Sequence, residues 1–334
     1  EFSIEIKEDR VIVALGTGEV EVPVIKEPKT SFELPGMYPL GALRVQTSEF
    51  KKCLNSVLYI IDKGDGAQWM NCVGMIPYKN DDVTKLSFIG SGTVGIATSN
   101  LSVEESTLNG AMPNMAVPVA AFSTAAKYLG GEITLINIMA KGEANNLGES
   151  SKPFALLLVD STGATFLISL HSQEYSAKML DIAVDTNNTA KFKATVEGKD
   201  IANAIRVASV GEEHVGVVIS EDKKGIGIFE SKTRKKGAVV KANTSGELAG
   251  DVIVNGYYLS KCVSIYSGDI LIKSNIGGVI GEPAVVCVVG NEGFSILLPI
   301  KNRADEKVHS NAANKAEKDA KEEKTKDAEI NGEE

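Results

Sequence analysis

Gly90-Ser91-Gly92-Thr93-Val94-Gly95 is the stretch of this 334-residue chain whose glycine spacing fits a dinucleotide-binding loop. In that chemistry the glycines open a helix whose N-terminal amides hold a pyrophosphate. Here Leu86 to Ile89 precede the motif as a strand pattern, but Ile96-Ala97-Thr98 continue as β, so the stretch reads as a glycine-rich hairpin. The three histidines, His171, His214 and His309, have no cysteine or second histidine at metal-ligand spacing. His171 stands beside Ser172, yet the G-x-S-x-G context of a nucleophile is missing, and His171 reads as a surface residue at a strand end. Asn80-Asp81-Asp82 reads as a solvated turn rather than a magnesium site. Cys53, Cys72, Cys262 and Cys287 sit in apolar segments at irregular spacing, as buried reduced thiols do. No catalytic residue, metal or cofactor is expected.

A chain that does no chemistry must do its work by shape and charge. With 43% hydrophobic residues it can build substantial cores, and its length suits two or three domains. No apolar run reaches bilayer length and no secretory pattern opens the sequence, which reads as cytoplasmic. The net charge is −9, of which residues 304–334 contribute −4 from ten acidic residues against six lysines. That balance argues against a broad basic coat for nucleic acid but permits a basic stripe on an acidic body.

The elements repeat. Phe50, Leu54, Val57, Leu58 and Ile61 line one face of a helix, with Thr47 or Ser48 as its N-cap. Val45, Phe50, Cys53, Leu54 and Val57 recur at constant offset as Val196, Ile201, Ala204, Ile205 and Ala208. Strand patterns follow each helix, at Val73 to Tyr78 and Leu86 to Ser99, then at Val215 to Ser220 and Gly225 to Glu230. A second helix comes next in each copy, Val117 to Leu129 and Val254 to Tyr266, closed by Gly131 and Gly268 and followed at once by an alternating strand. Each copy ends in a hairpin, Phe154 to Leu170 and Ala284 to Ile300. The opening strands, Phe2 to Ile6, Val11 to Leu15 and Val20 to Ile25, match only such a closing part. Three strands cannot bury a sheet face alone, so the expectation is a first unit whose earlier part, helices included, is not in this sequence.

This repeat, over most of residues 2–303, resembles the bacterial DNA polymerase III β subunit, the β sliding clamp. Val254-Asn255-Gly256-Tyr257-Tyr258-Leu259 is similar to the family's [FI]-N-x-x-Y-L, and Ser295-Ile296-Leu297-Leu298-Pro299-Ile300-Lys301 to its closing strand. The family's T-D-G-x-R-[LM] falls at Ser91 to Ile96 without its Asp and Arg, and its F-P-[DE]-[YF] falls at Tyr175 to Lys178 with only the aromatic kept. The resemblance implies an α+β fold of repeated clamp domains, each with two helices on antiparallel sheet and arranged as part of a ring. The division it implies is an incomplete first domain at 1–40, domains at 41–185 and 186–303, and a charged, disordered tail at 304–334.

The implied function is that of a processivity factor, a non-catalytic subunit of a DNA-directed DNA polymerase holoenzyme. It would form a homodimeric ring around duplex DNA and serve a replicative polymerase, a clamp loader and proteins bearing short clamp-binding peptides. The implied peptide groove between the second and third domains comprises Cys72, Ser91, Thr93, Ile96, Asn255, Tyr258, Leu297, Leu298, Pro299 and Ile300. DNA contacts are expected from Lys51, Lys52, Lys127, Lys199, Arg206 and Lys261 on helices facing the hole, where sparse cations attract phosphates without stopping sliding. By resemblance Lys63, Gln68 and Trp69 belong to a DNA-contacting loop, with Trp69 equally readable as a packed core indole. The alternative is a non-clamp β-repeat binding or structural protein of phage type.

Overall fold

Alternating apolar residues at the start of the chain form β1 (Phe2–Ile6), β2 (Arg10–Leu15) and β3 (Gly18–Pro23), an antiparallel sheet in that order. The computed structural model describes residues 2–6, 10–15, 18–23, 36–61, 71–80, 83–108, 114–141, 152–211, 214–219, 225–233, 235–246, 252–266, 268–274, 285–290 and 293–300. Two units of like topology follow the first sheet. One contains β4 (Met37–Gln46), α1 (Thr47–Leu58), β5 (Cys72–Asn80), β6 (Val83–Gly92), β7 (Gly95–Ser102), β8 (Glu105–Ser106), β9 (Met115–Pro118), α2 (Val119–Tyr128), β10 (Ile133–Lys141), β11 (Pro153–Asp160) and β12 (Thr165–Ser169). After α3 (Ala177–Thr189) the other contains β13 (Phe192–Glu197), α4 (Gly198–Ala208), β14 (His214–Ile219), β15 (Gly225–Glu230), β16 (Gly237–Lys241), β17 (Asn243–Ser245), β18 (Val252–Asn255), α5 (Gly256–Ile265), β19 (Asp269–Ser274), β20 (Val286–Val289) and β21 (Gly293–Leu297). The two match element for element.

Strand order matches too. The first unit runs β12-β11-β10-β4-β8 and β7-β6-β5-β9, the second β21-β20-β19-β13-β17 and β16-β15-β14-β18. Because β21 pairs antiparallel with β7, one sheet of each unit fuses into nine strands crossing from unit to unit. The architecture is α+β, with the paired helices packed on antiparallel sheets.

Helix α1 forms because Phe50, Leu54 and Val57 recur on one face, and burying that face against a sheet supplies what a short helix lacks alone. Phe50 meets Phe88 of β6 and Phe122 of α2 edge-on, at centroid distances of 5.7 and 5.5 Å. Each fully buried ring contributes roughly 2–3 kcal/mol by leaving water, so this trio is a main anchor of the first unit. In the second unit Ile201, Ala204 and Ile205 of α4 and Leu259, Cys262 and Val263 of α5 play the same part with smaller side chains.

The structure departs from the sequence reading at the cap of α1 and at helix α3. Thr47 and Ser48 do not cap α1. Gln46 holds that position without a side-chain bond, while Thr47 is buried with its hydroxyl 2.9 Å from that of Thr134, because strand β10 crowds the helix entry. The glycine-rich hairpin read within Leu86 to Ser99 is present as β6 and β7, turning at Thr93-Val94. Helix α3 has no counterpart in the expected pattern; Ile182 and Val184 on it are exposed, and this even spread of apolar residues hides its periodicity.

The glycine motif now has a packing explanation. A Cβ at Gly90 would lie 2.3 Å from the carbonyl oxygen of Val57 in α1, and one at Gly95 would lie 2.0 Å from that of Ile296 in β21. The motif passes from strand to strand and opens no helix, so its glycines let backbones approach rather than cradle a phosphate. Gly131 and Gly268 adopt φ of 63° and 76°, but each lies two residues past the C-cap, Leu129 or Tyr266, so they turn the chain toward the next strand instead of capping the helix.

Candidate groove between the repeats and nucleic-acid face

The joint between the units is built from alternation along β7 and β21. Leu297 faces the large core beneath the helices, whereas Ile296 faces the opposite side with Cys287, Val285 and Ala183 of α3. Ile96, in register with Ile296, packs both on that cluster and on a second one of Cys72, Ile76, Ile89, Ala116 and Tyr175. Beyond β21 the chain continues across the joint: the Leu298 N–H donates to Val94 O and the Ile300 N–H to Ile253 O, both at 2.9 Å. Asn255 caps α5, its Oδ1 accepting from the N–H groups of Tyr257 and Tyr258 at 3.0 and 3.4 Å.

The structure therefore brings Ile96 and Leu297 to Ile300 together at the joint, with Asn255 one turn from Tyr258 beside Ile253. Thr93 is exposed in the β6–β7 turn, Leu298 is 44% exposed, Pro299 and Ile300 are half-buried, and Leu297 is core. Cys72 and Ser91 are placed differently, buried beneath Tyr175. That ring is 1% exposed, its hydroxyl lies 2.8 Å from Ser91 Oγ, and it fills the space a side chain at Gly74 would need. Burial pushes the Tyr175 phenol up to about 12 against the opposing pull of the Ser91 hydroxyl, and burial likewise raises the Cys72 thiol.

A second tie crosses the joint on the helix side. Tyr59, just past α1, donates to Ser295 Oγ of β21 at 2.8 Å and lies 3.0 Å from Cys262 Sγ of α5. Burial, then the Cys262 thiol, holds the Tyr59 phenol well above its ordinary range. Burial also pushes Cys262 and Cys287 up to about 12, so these thiols stay protonated and are poor nucleophiles and poor metal ligands at neutral pH.

Helices α1, α2, α4 and α5 share the side of the sheet away from α3. A cleft of about 990 Å³ runs between α1 and α2 of one unit and α5 of the other, and a second of about 580 Å³ separates α5 from α4. The four helices carry six lysines and arginines against two acidic residues, a charge of +4, while the rest of the chain, with 29 against 42, carries −13. The six cations are those read from the sequence. Lys52, Lys127, Lys199, Arg206 and Lys261 are exposed. Lys52 pairs with Glu49 at 3.9 Å, and Arg206 donates to Asn203 at 3.3 Å. Lys51 is half-buried and donates to the carbonyl of Leu129, closing the end of α2, so its charge serves the fold first. Lys63, Gln68, Trp69, His309 and the 304–334 tail lie outside the described residues.

Comparison with protein-family models and with curated protein sequences finds no match. Comparison with solved structures does. The DNA polymerase sliding clamp of Bacillus subtilis superposes with a TM-score of 0.67 at 15% identity, over 90% of this chain and 75% of that one. The sliding clamp of Caulobacter crescentus gives 0.66 at 16%, over 90% and 76%. The DNA polymerase III β subunit of Thermotoga maritima gives 0.66 at 13%, also over 90% and 76%. This chain has the fold of the bacterial β sliding clamps.

Within that clamp fold, sequence reasoning missed Tyr175 as a filler of the outer cluster, Tyr59 as a cross-joint donor, and α3. For Tyr175 a signal was present, the lone aromatic kept from a family motif. For Tyr59 there was none, since its partners Cys262 and Ser295 are over two hundred residues away in sequence. His171 ends in a local contact, its Nδ1 accepting from the Gln173 N–H at 3.2 Å.

Proposed function

We propose that this protein is a DNA replication processivity factor, a sliding clamp that encircles duplex DNA as a head-to-tail homodimer and is loaded by a clamp loader. It would tether a replicative polymerase and other proteins whose short peptides seat between the two units, at Ile96, Asn255, Tyr258 and Leu297 to Ile300. The proposed domains are those read from the sequence, 1–40, 41–185 and 186–303 with a tail at 304–334, and the opening of β4 at Met37 favours moving the first boundary to 36/37. The role is non-catalytic.

The observation that carries this reading is the charge layout on the clamp fold. A helix layer at +4 on a chain otherwise at −13 attracts phosphates on one face and repels them elsewhere. Five exposed cations spread over four helices suit weak, register-free contact with a duplex better than a fixed site, which would concentrate them. The test compares retention on closed circular and on linearised duplex after loading. A ring stays on the circle and runs off the ends, so the circular complex should outlast the linear one many-fold at moderate salt. Equal retention on both forms would show a surface binder instead.

A further inference from the structure

Among the described residues, the aromatic side chains that stand out into solvent are two, Tyr128 at 62% and Tyr257 at 59% exposure, and both lie on the helix layer. Each carries a lysine over its ring: Lys127 Nζ is 5.4 Å from the centroid of Tyr128, and Lys261 Nζ is 5.5 Å from that of Tyr257. A duplex can use such a tyrosine only through its hydroxyl, on a phosphate, because its bases present edges in the grooves and no free face. A single strand can use the ring itself. Its bases have open π-faces that stack on aromatic rings, and its phosphates seek the neighbouring cation.

We infer that the helix layer of this protein also binds single-stranded nucleic acid, with an unpaired base stacked on Tyr257 at the mouth of the cleft between the units. Tyr257 forms part of the walls of both clefts, against α1 and α2 on one side and against α4 on the other. Tyr257, Lys261 and Ser264 make one exposed stripe of α5, and Asn55, Asn71 and Ser123 face it across the larger cleft. The two amides offer donors and acceptors to a base edge without fixing which base it is. Tyr258 packs against Tyr257 at nearly a right angle, with ring centroids 5.3 Å apart, which limits the movement of the Tyr257 ring. Lys52 lies one turn before Asn55 on the exposed face of α1, where it extends the cationic track toward the next phosphate. A clamp so equipped would hold the unpaired strand at a primer junction as well as slide on the duplex.

This inference rests on the proposal that the helix layer faces nucleic acid, and the experiment separates the two. The full 334-residue chain is titrated at low salt against a labelled oligo-dT strand and against a hairpin duplex of equal phosphate number. Tyr257→Ala is expected to weaken oligo-dT binding about tenfold, the size of one lost stacking contact, while changing duplex binding less than about twofold. Tyr257→Trp should keep oligo-dT affinity at or above the original. Because Tyr257 is exposed, neither variant should unfold, which thermal melting checks. Oligo-dT binding unchanged by Tyr257→Ala, equal losses on strand and duplex, or a parent protein that binds duplex but not oligo-dT would each overturn the inference. Binding to neither nucleic acid would instead fell the helix-face proposal beneath it.

Discussion

Asp160 shows how one carboxylate can hold a clamp unit closed. At the β11–β12 turn its Oδ1 accepts from the Thr162 hydroxyl at 2.7 Å and from the N–H groups of Thr162 and Ala164 at 2.9 Å, while Oδ2 accepts from the Gly130 N–H after α2. The Thr162 hydroxyl and then the Gly130 amide lower its pKa to about 2. A carboxylate depressed on folding stabilises above its unfolded value, near 4, and loses that contribution as pH falls toward 2. Asp160→Asn should therefore lower the urea midpoint at neutral pH, with the gap to the parent closing between about pH 4 and about pH 2. A gap constant across that range would show that the turn is held by shape and not by charge. Little of this was legible beforehand. Ser161-Thr162-Gly163 announced a turn, but the bond from Asp160 to Gly130 depends on a residue thirty positions earlier folding back to it. The same limit applied at the groove: Cys72 and Ser91 were placed by motif, and nothing in a linear motif says that Tyr175 will lie over them.

Among the elements, the segment from His171 through α3 works as a strap. It leaves the first unit with the His171 N–H on Ala116 O at 2.9 Å, seats Tyr175 over β5 and β6, and crosses to the second unit, where Ala183 packs on Ile296 and Cys287. There Lys273 Nζ donates to Asn187 Oδ1 at 2.9 Å and to its carbonyl at 3.2 Å. Tyr175 fixes the near end. Tyr175→Phe removes one hydroxyl partner of buried Ser91 and should cost about 1 kcal/mol, whereas Tyr175→Ala empties a ring-sized space and should cost about 3–5 kcal/mol in urea unfolding. If both variants lost under about 0.5 kcal/mol, the ring would not be packed as described. The four paired helices and most strands were readable because their patterns recur in the second copy, whereas β8, β16 and β17 were not read. The strap was not, since it occurs once and its helix buries Ala183 on interior strands of the nine-stranded sheet, against Cys287 and Ile296, residues over a hundred positions away in sequence.

At the scale of the whole molecule, the β7–β21 joint shows how a further joint would be made. By strand order β16 stands in the second unit where β7 stands in the first, and β12 stands where β21 does. Yet β7 has β21 beside it, whereas among the described residues β16 has β15 on one side and no strand on the other. Val239, in the middle of β16, is 58% exposed, an apolar residue on an open edge whose guarding charges, Lys235, Lys236 and Lys241, stand only at its two ends. Under the proposed function, antiparallel addition of an edge strand from a second copy, as β21 adds to β7, would cover it. In the proposed ring each joint of this kind would leave its own matching edge free, so association would be head-to-tail and would end where the ring closes. Val239→Asp places a charge in that edge without touching the core beneath Val240. It should leave the melting temperature of dilute protein within a few degrees of the parent and shift the self-association constant weaker by at least about tenfold in sedimentation velocity. The circular-duplex retention should fall with it, because a ring that cannot close cannot hold DNA topologically. Unchanged association in the Val239→Asp protein would place the contact between copies elsewhere, and retention that survived loss of association would remove the need for a ring at all.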